Sequence, residues 1–130
     1  MNRDVQEGLE TILNAAPVVP VMVIEDVAHA VPLARALVKG GLPVLEITLR
    51  TKAALECIRA IIAEVEGAIV GAGTVLDAKK LKETEHIGCK FAVSPGSSPK
   101  LLDAAEDMMI PLLPGGVTAS ECMHLMDREY

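Results

Sequence analysis

The sequence predicts an α/β fold in which a leading helix is followed by five strand–helix units, forming one domain over residues 1–130. Three observations support this fold class. Short apolar runs recur every 20 to 25 residues, stretches of helical periodicity separate them, and glycine or proline marks most of the boundaries. Because strands that alternate with helices pair in parallel through right-handed crossovers, we expect a parallel sheet.

The apolar runs are short and rich in β-branched residues, which is typical of strands buried on both faces. In chain order, the predicted strands are VVPVMVI from Val18, PVLEITL from Pro43, AIVGAGTV from Ala68, FAVSP from Phe91 and PLLPG from Pro111. A helix over residues 4–15 is expected before the first of them.

The stretches between the strands carry apolar residues three or four positions apart, as one face of a helix requires. Predicted N-cap residues open four of these helices: Asp26, Thr51, Ser98 and Thr118. Glycines follow three of the helices, at positions where left-handed caps favour them: Gly40–Gly41, Gly67 and Gly88.

Composition argues against several functional classes. Hydrophobic residues make up 51% of the chain, so it is not a disordered segment, and its longest apolar run, residues 15–24, is too short to cross a membrane. A net charge of −6 and an aromatic content of 2% argue against nucleic-acid binding. The three cysteines are widely spaced and lack a CxxC pair, which predicts reduced, packed thiols in a cytoplasmic protein and no zinc site.

Two parallel architectures fit five strand–helix units. A doubly wound, flavodoxin-like sheet would be complete at this length, whereas a (β/α)8 barrel needs about 200 residues or more and would be present only in part. Length alone favours the first. Against a phosphoacceptor signalling module of that type, the third predicted strand ends in GAGT, and no acidic residue follows before Asp77.

The second predicted strand carries the most informative pattern. Along VLEITLRT, the period of two places Glu46, Thr48 and Arg50 on one face and apolar side chains on the other. Either this is an edge strand with one solvated face, or the polar face lines an enclosed interior. In an interior, partial desolvation would raise the pKa of Glu46 and suit it to proton transfer. Arg50 would then be able to clamp a substrate carboxylate through two parallel hydrogen bonds.

The third predicted strand ends in GAGT, residues 71–74. Its two glycines allow either the approach of backbone to a ligand or the close packing of a helix on the sheet. Thr74 adds a hydroxyl and an N–H at the end where parallel sheets bind ligands. Leu76 occupies the place of the third glycine of a dinucleotide-binding fingerprint, and the sequence has neither a P-loop nor histidines at metal-ligand spacing.

Taken together and in order, VVPVMVI, VLEITLRT, AIVGAGTV, FAVSPG and PLLPGGVT resemble the 2-keto-3-deoxy-6-phosphogluconate (KDPG) / 4-hydroxy-2-oxoglutarate (KHG) aldolases, from about Leu9 to Met126. The resemblance implies a (β/α)8 TIM barrel, of which this chain would hold the leading helix and about five β/α units. It further implies a cytoplasmic, usually trimeric lyase of the Entner–Doudoroff route that uses no metal or cofactor. Such a class I aldolase cleaves KDPG to pyruvate and glyceraldehyde 3-phosphate, or KHG to pyruvate and glyoxylate.

The resemblance also assigns roles by position. Glu46 resembles the family's general acid/base, and Arg50 resembles the residue that holds the pyruvate carboxylate. Thr74 resembles a second pyruvate contact, and Pro95 resembles a residue that shapes the pocket. Which of the two substrates is preferred is not indicated by these positions.

The family's Schiff-base lysine, on its sixth strand, has no counterpart among the seven lysines of this chain. Five lysines fall in helical patterns, Lys90 precedes the fourth strand, and Lys52 lies in the first turn of a helix. We therefore expect that the chain is the amino-terminal part of such an aldolase and that it is inactive alone. Its partner would be a small 2-keto acid rather than nucleic acid or membrane. The alternatives are another small-phosphate barrel enzyme, such as an epimerase or synthase, and a non-enzymatic flavodoxin-like binding module.

Overall fold

The computed structural model describes residues 3–130, and helices and strands alternate throughout this range. The helices are α1 (Arg3–Asn14), α2 (Val27–Lys39), α3 (Ala54–Glu64), α4 (Ala78–His86), α5 (Pro99–Glu106) and α6 (Ala119–Asp127). The strands are β1 (Val21–Met22), β2 (Val44–Thr48), β3 (Ile69–Gly73), β4 (Phe91–Ser94) and β5 (Leu112–Pro114). The predicted leading helix and the five strand–helix units that follow it are confirmed.

The five strands pair in parallel, in the order β1-β2-β3-β4-β5. Each strand lies beside the one that precedes it in the chain, as in a (β/α)8 barrel. A flavodoxin-like sheet has the order 2-1-3-4-5, in which the first strand is internal. The flavodoxin-like alternative, which length alone favoured, is therefore wrong.

One face of the sheet packs against the helices. Residues in register across the five strands form a continuous row on this face: Met22, Ile47, Ala72, Ala92 and Leu112. All of them are buried, in one cluster with helix residues such as Ile58 and Ile61. Burying an isoleucine side chain contributes about 1.5–3 kcal/mol, so this aliphatic layer decides which way each strand faces.

The opposite face, called here the inner face, carries the row one position earlier in each strand. That row consists of Val21, Glu46, Gly71 and Phe91. Its exposure changes across the sheet, from 58% at Val21 on the edge strand to 9% at Glu46 and 1% at Phe91. The inner face is therefore covered over β2 to β4 and open at β1.

The first strand is much shorter than the predicted VVPVMVI. Only Val21 and Met22 pair with β2, although the Pro20 carbonyl also accepts a hydrogen bond from the Glu46 N–H at 3.1 Å. Pro17 and Pro20 have no N–H to donate, and proline in a sheet is confined to edges and strand starts. The prolines thus limit β1 to a short edge strand.

Three of the four predicted N-caps are confirmed: Asp26, Ser98 and Thr118 each accept a backbone N–H from the first turn of the helix that follows. The prediction for Thr51 is wrong, because α3 begins after Ala53 without a side-chain cap. The Thr51 hydroxyl instead donates to the Ile24 carbonyl at 2.7 Å. It thereby ties the loop after β2 to the segment after β1.

Two smaller predictions are corrected by the structure. Gly41, Gly67 and Gly88 have positive φ, as predicted, but Gly40 is right-handed at φ −77°. Cys57 and Cys89 are buried thiols, whereas Cys122 is exposed on α6 and is not a packing residue. Burial raises the pKa of the Cys89 thiol to about 12, so this cysteine stays protonated and unreactive at neutral pH.

Candidate functional site

The polar face of β2 lies on the inner face of the sheet, as the period of two predicts. Leu45 and Ile47 belong to the helix-packed cluster, while Glu46 and Thr48 are buried on the other side. The edge-strand alternative is wrong, because β2 pairs with both β1 and β3. Glu46 is therefore a carboxyl group inside the sheet region rather than on a solvated face.

Thr48 has a structural partner that sequence reasoning missed. Its hydroxyl is buried and donates to the Met22 carbonyl at 3.2 Å. Together with the bond from Thr51 to Ile24, it holds β1 against β2 where the strand pairing is short. The hydroxyl of Thr48 thus satisfies a backbone carbonyl instead of facing a ligand.

Glu46 opens onto a cavity of about 300 Å³. The walls of this cavity, called here the Glu46 cavity, include Leu13, Val19, Phe91, Val93, Ser94 and Leu113. Burial in this apolar surrounding raises the pKa of the Glu46 carboxyl above its ordinary value, and the positive charge of Arg50 opposes part of the rise. The result is a carboxyl poised to hold and release a proton closer to neutral pH than a surface glutamate.

The glycines of GAGT face side chains on the inner face. A Cβ on Gly71 would meet the Phe91 ring, and a Cβ on Gly73 would meet the Glu46 carboxyl group. The residues of β3 that face the helices are Val70 and Ala72, so the alternative in which the glycines allow close helix packing is wrong. Their small size instead makes room for Phe91 and Glu46.

Arg50 and Thr74 meet beyond the ends of β2 and β3. The Arg50 Nε donates to the Thr74 Oγ1 at 3.0 Å, which leaves the two terminal nitrogens of the guanidinium for another acceptor. Thr74 has φ +59°, an uncommon conformation for a β-branched residue. Such strain is often found where a side chain must point in a particular direction at a functional site.

Pro95 is exposed beyond the end of β4 and does not line the Glu46 cavity. It borders a separate pocket of about 230 Å³, together with Leu76 and Ser98 among others. Its neighbour Ser94 does line the Glu46 cavity, and the Ser94 hydroxyl donates to the Gly96 carbonyl at 2.7 Å. The period of two that was applied to β2 could also have been applied to FAVSPG. It would have predicted Phe91 and Val93 on the inner face.

None of the seven lysines lines the Glu46 cavity. Six of them have exposed side chains, and Lys80 pairs with Glu83 on the surface of α4 at 2.9 Å. Lys52 follows the carboxyl end of β2 and precedes the start of α3. The described part of the chain thus places a buried carboxyl group and a guanidinium on the same strand–loop segment, with no lysine in the cavity wall.

The histidines are distributed singly: His29 lies on α2, His86 on α4 and His124 on α6. Across residues 3–130, no group of three or more His, Cys, Asp or Glu side chains is arranged to hold a metal ion. None of the helices in the same range has the length and apolar composition needed to span a membrane.

Known proteins match this chain over most of its length. A model of the family described as KDPG and KHG aldolase matches residues 9–130. Among curated proteins, the 2-dehydro-3-deoxy-phosphogluconate aldolase of Pseudoalteromonas atlantica is 51% identical over 130 residues, which is 100% of this chain and 60% of the relative. The chain therefore spans less than two thirds of that relative's length.

Solved structures agree with this match. The KDPG aldolase of Zymomonas mobilis ZM4, crystallised with 3-phosphoglycerate, has a TM-score of 0.87 and 51% identity over 92% of this chain and 56% of that chain. The KDPG aldolase of Legionella pneumophila, with pyruvate captured at low pH as a covalent carbinolamine intermediate, has a TM-score of 0.88 and 39% identity over 92% of this chain and 58% of that chain. These enzymes are (β/α)8 barrels, so the predicted fold class is confirmed, and the five strand–helix units form part of such a barrel.

Proposed function

Because this chain belongs to the KDPG and KHG aldolase family, we propose that it forms the part of a class I aldolase that binds the pyruvate half of the substrate and moves its protons. The observation that carries the proposal is Glu46, a carboxyl group that is 9% exposed and opens onto an inner-face cavity. The substrates proposed for the complete enzyme are KDPG and KHG.

Glu46 is the proposed general acid/base. Aldol cleavage through a Schiff base needs proton transfer while the carbinolamine forms and loses water, and again at the carbon that becomes the pyruvate methyl group. A single carboxyl can serve these steps in turn if its pKa lies close enough to neutral for both protonation states to be populated. The burial that raises the pKa of Glu46 supports this role.

Arg50 is the proposed carboxylate clamp. The hydrogen bond from its Nε to Thr74 fixes the plane of the guanidinium. Its two terminal nitrogens can then donate parallel hydrogen bonds to the two oxygens of a pyruvate carboxylate. In this proposal Thr74 acts both as the partner of Arg50 and as a neighbour of the bound pyruvate.

The Schiff-base lysine is proposed to come from sequence outside these 130 residues. A lysine amine is activated by desolvation or by a neighbouring cation, and the exposed lysines of this chain are not desolvated. We therefore propose that the chain is inactive alone. In the complete enzyme, the lysine would face the Glu46 cavity from a strand that follows β5.

A chimeric aldolase tests this function. Residues 1–130 replace the matching segment of the Pseudoalteromonas atlantica relative, which aligns over the same 130 residues. We expect the chimeric aldolase to release pyruvate from KDPG at a rate comparable to that of the parent relative, measured with lactate dehydrogenase and NADH. The 130-residue chain should release none. A chimera that folds cooperatively but cleaves neither KDPG nor KHG would rule out the proposed function.

A further inference from the structure

Gly73 lies directly against the carboxyl group of Glu46. A Cβ built on Gly73 would overlap the Glu46 Oε1 and would lie 2.8 Å from its Cδ and 3.0 Å from its Cγ. These three Glu46 atoms are the nearest neighbours of that Cβ position. The space that the side chain of Gly73 would take is thus occupied by the end of Glu46.

The backbone of Gly73 is held in place by the sheet. Gly73 is in register with Thr48, and its carbonyl accepts a hydrogen bond from the Leu49 N–H at 2.8 Å. Moving this backbone would break pairing between β2 and β3, whereas Glu46 can move by rotating its own side-chain bonds. A side chain added at position 73 would therefore displace the Glu46 carboxyl group rather than the strand.

We propose that Gly73 is a positioning residue for Glu46, because its missing side chain forms the slot that holds the carboxyl group against β3. The position of the Glu46 carboxyl group does not depend on the proposed function, whereas the effect of Gly73 on turnover rests on that function. Gly71 is a different case, because the atoms nearest its absent Cβ belong to the Phe91 ring. A ring buried to 1% exposure has little freedom to move aside.

The variant Gly73→Ala should push the carboxyl group out of this slot, toward the cavity and solvent. Better solvation favours the charged form, so the pKa of Glu46 should fall toward its ordinary value. In the chimeric aldolase, kcat should fall about 100-fold, since a displacement of about 1 Å can cost that much. KM should change little, because Arg50 and Thr74 are not displaced.

The direct test is a carboxyl carbon NMR titration of the 130-residue chain, with the Glu46 signal assigned from its loss in Glu46→Gln. We expect a raised Glu46 pKa in the native chain and in the control Gly8→Ala, since a Cβ at Gly8 meets nothing within 4 Å. In Gly73→Ala the pKa should be lower. An unchanged Glu46 pKa in Gly73→Ala would overturn the inference even if the chimeric aldolase is active, whereas an inactive chimera with the expected pKa change would count against the proposed function alone.

A double variant covers the case in which Gly73→Ala folds poorly. If the overlap with Glu46 is the cause, the stability lost on Gly73→Ala in urea unfolding should disappear when the substitution is made in a Glu46→Ala background. An equal loss of stability in the native and Glu46→Ala backgrounds would show that Gly73 is required by the strand backbone and not by the Glu46 side chain. That result would overturn the inference.

Discussion

The variant Glu46→Gln is expected to lower the kcat of the chimeric aldolase by about 10²–10⁴-fold, the range by which a positioned general acid/base accelerates proton transfer. Glutamine fills nearly the same space but can neither accept nor release a proton at the carboxyl position. KM should change far less than kcat, because Arg50, the proposed carboxylate clamp, is unchanged. The measurement is initial-rate kinetics of pyruvate release across a range of KDPG concentrations.

The same variant should change stability in the opposite direction to activity. The pKa of Glu46 is higher in the folded chain than in the unfolded chain. Stability therefore falls as the pH rises from the unfolded value through the folded value, because the buried carboxyl group must ionise. Above that interval, Glu46→Gln should be more stable than the native chain in urea unfolding. Below it, this advantage should be lost.

Glu66→Gln is the matched control for both measurements, because Glu66 is exposed in the turn between α3 and β3. It should leave kcat unchanged and, as a substitution at an exposed site, should change the free energy of unfolding by no more than about 0.5 kcal/mol. Equal kinetic effects of Glu46→Gln and Glu66→Gln would refute the catalytic role of Glu46.

The variant Arg50→Ala is expected to raise the KM of the chimeric aldolase for KDPG by about 10- to 100-fold. This range corresponds to the loss of hydrogen bonds to a charged group, about 1.5–3 kcal/mol. The variant Arg50→Lys keeps the positive charge but loses the planar fork and the Nε that donates to Thr74. Its KM should lie between those of Arg50→Ala and the unmodified chimera.

Arg59→Ala is the control for Arg50, since Arg59 is exposed on α3. The KM of this variant should equal that of the unmodified chimera. A drop in kcat for Arg50→Ala with no change in KM would contradict the clamp and would place Arg50 on the reacting bond instead.

The pattern of β2 was predictable because alternation along a strand is a local rule. A carboxylate, a hydroxyl and a guanidinium at alternate positions required one polar face, and Glu46 does lie on the inner face, buried. The order of the strands was not predictable in the same way. Strand pairing joins residues that are far apart in the chain, so length alone favoured the wrong architecture. The motif resemblance predicted the barrel, and the strand order β1-β2-β3-β4-β5 agrees with it.

Side-chain contacts between strands could not be predicted from the sequence either. Gly71 and Gly73 are explained by Phe91 and Glu46, and these pairs depend on the register of three strands. The Thr51 hydroxyl was predicted to cap its own helix, but it donates to the carbonyl of Ile24, in the segment that follows β1. Pro95 was assigned to the pocket by its position in the chain; it borders a separate pocket beyond the end of β4, whereas its neighbour Ser94 lines the Glu46 cavity.

The most direct test of the proposed aldolase function is to trap pyruvate with borohydride and locate the adduct by mass spectrometry. We expect one pyruvate adduct on the chimeric aldolase, on a lysine outside the 130-residue segment, and no adduct on the 130-residue chain alone. An adduct on the 130-residue chain would contradict the proposal, and Lys52, which follows the carboxyl end of β2, would be the first lysine to examine. The absence of any adduct on a folded chimera would contradict the Schiff-base mechanism itself.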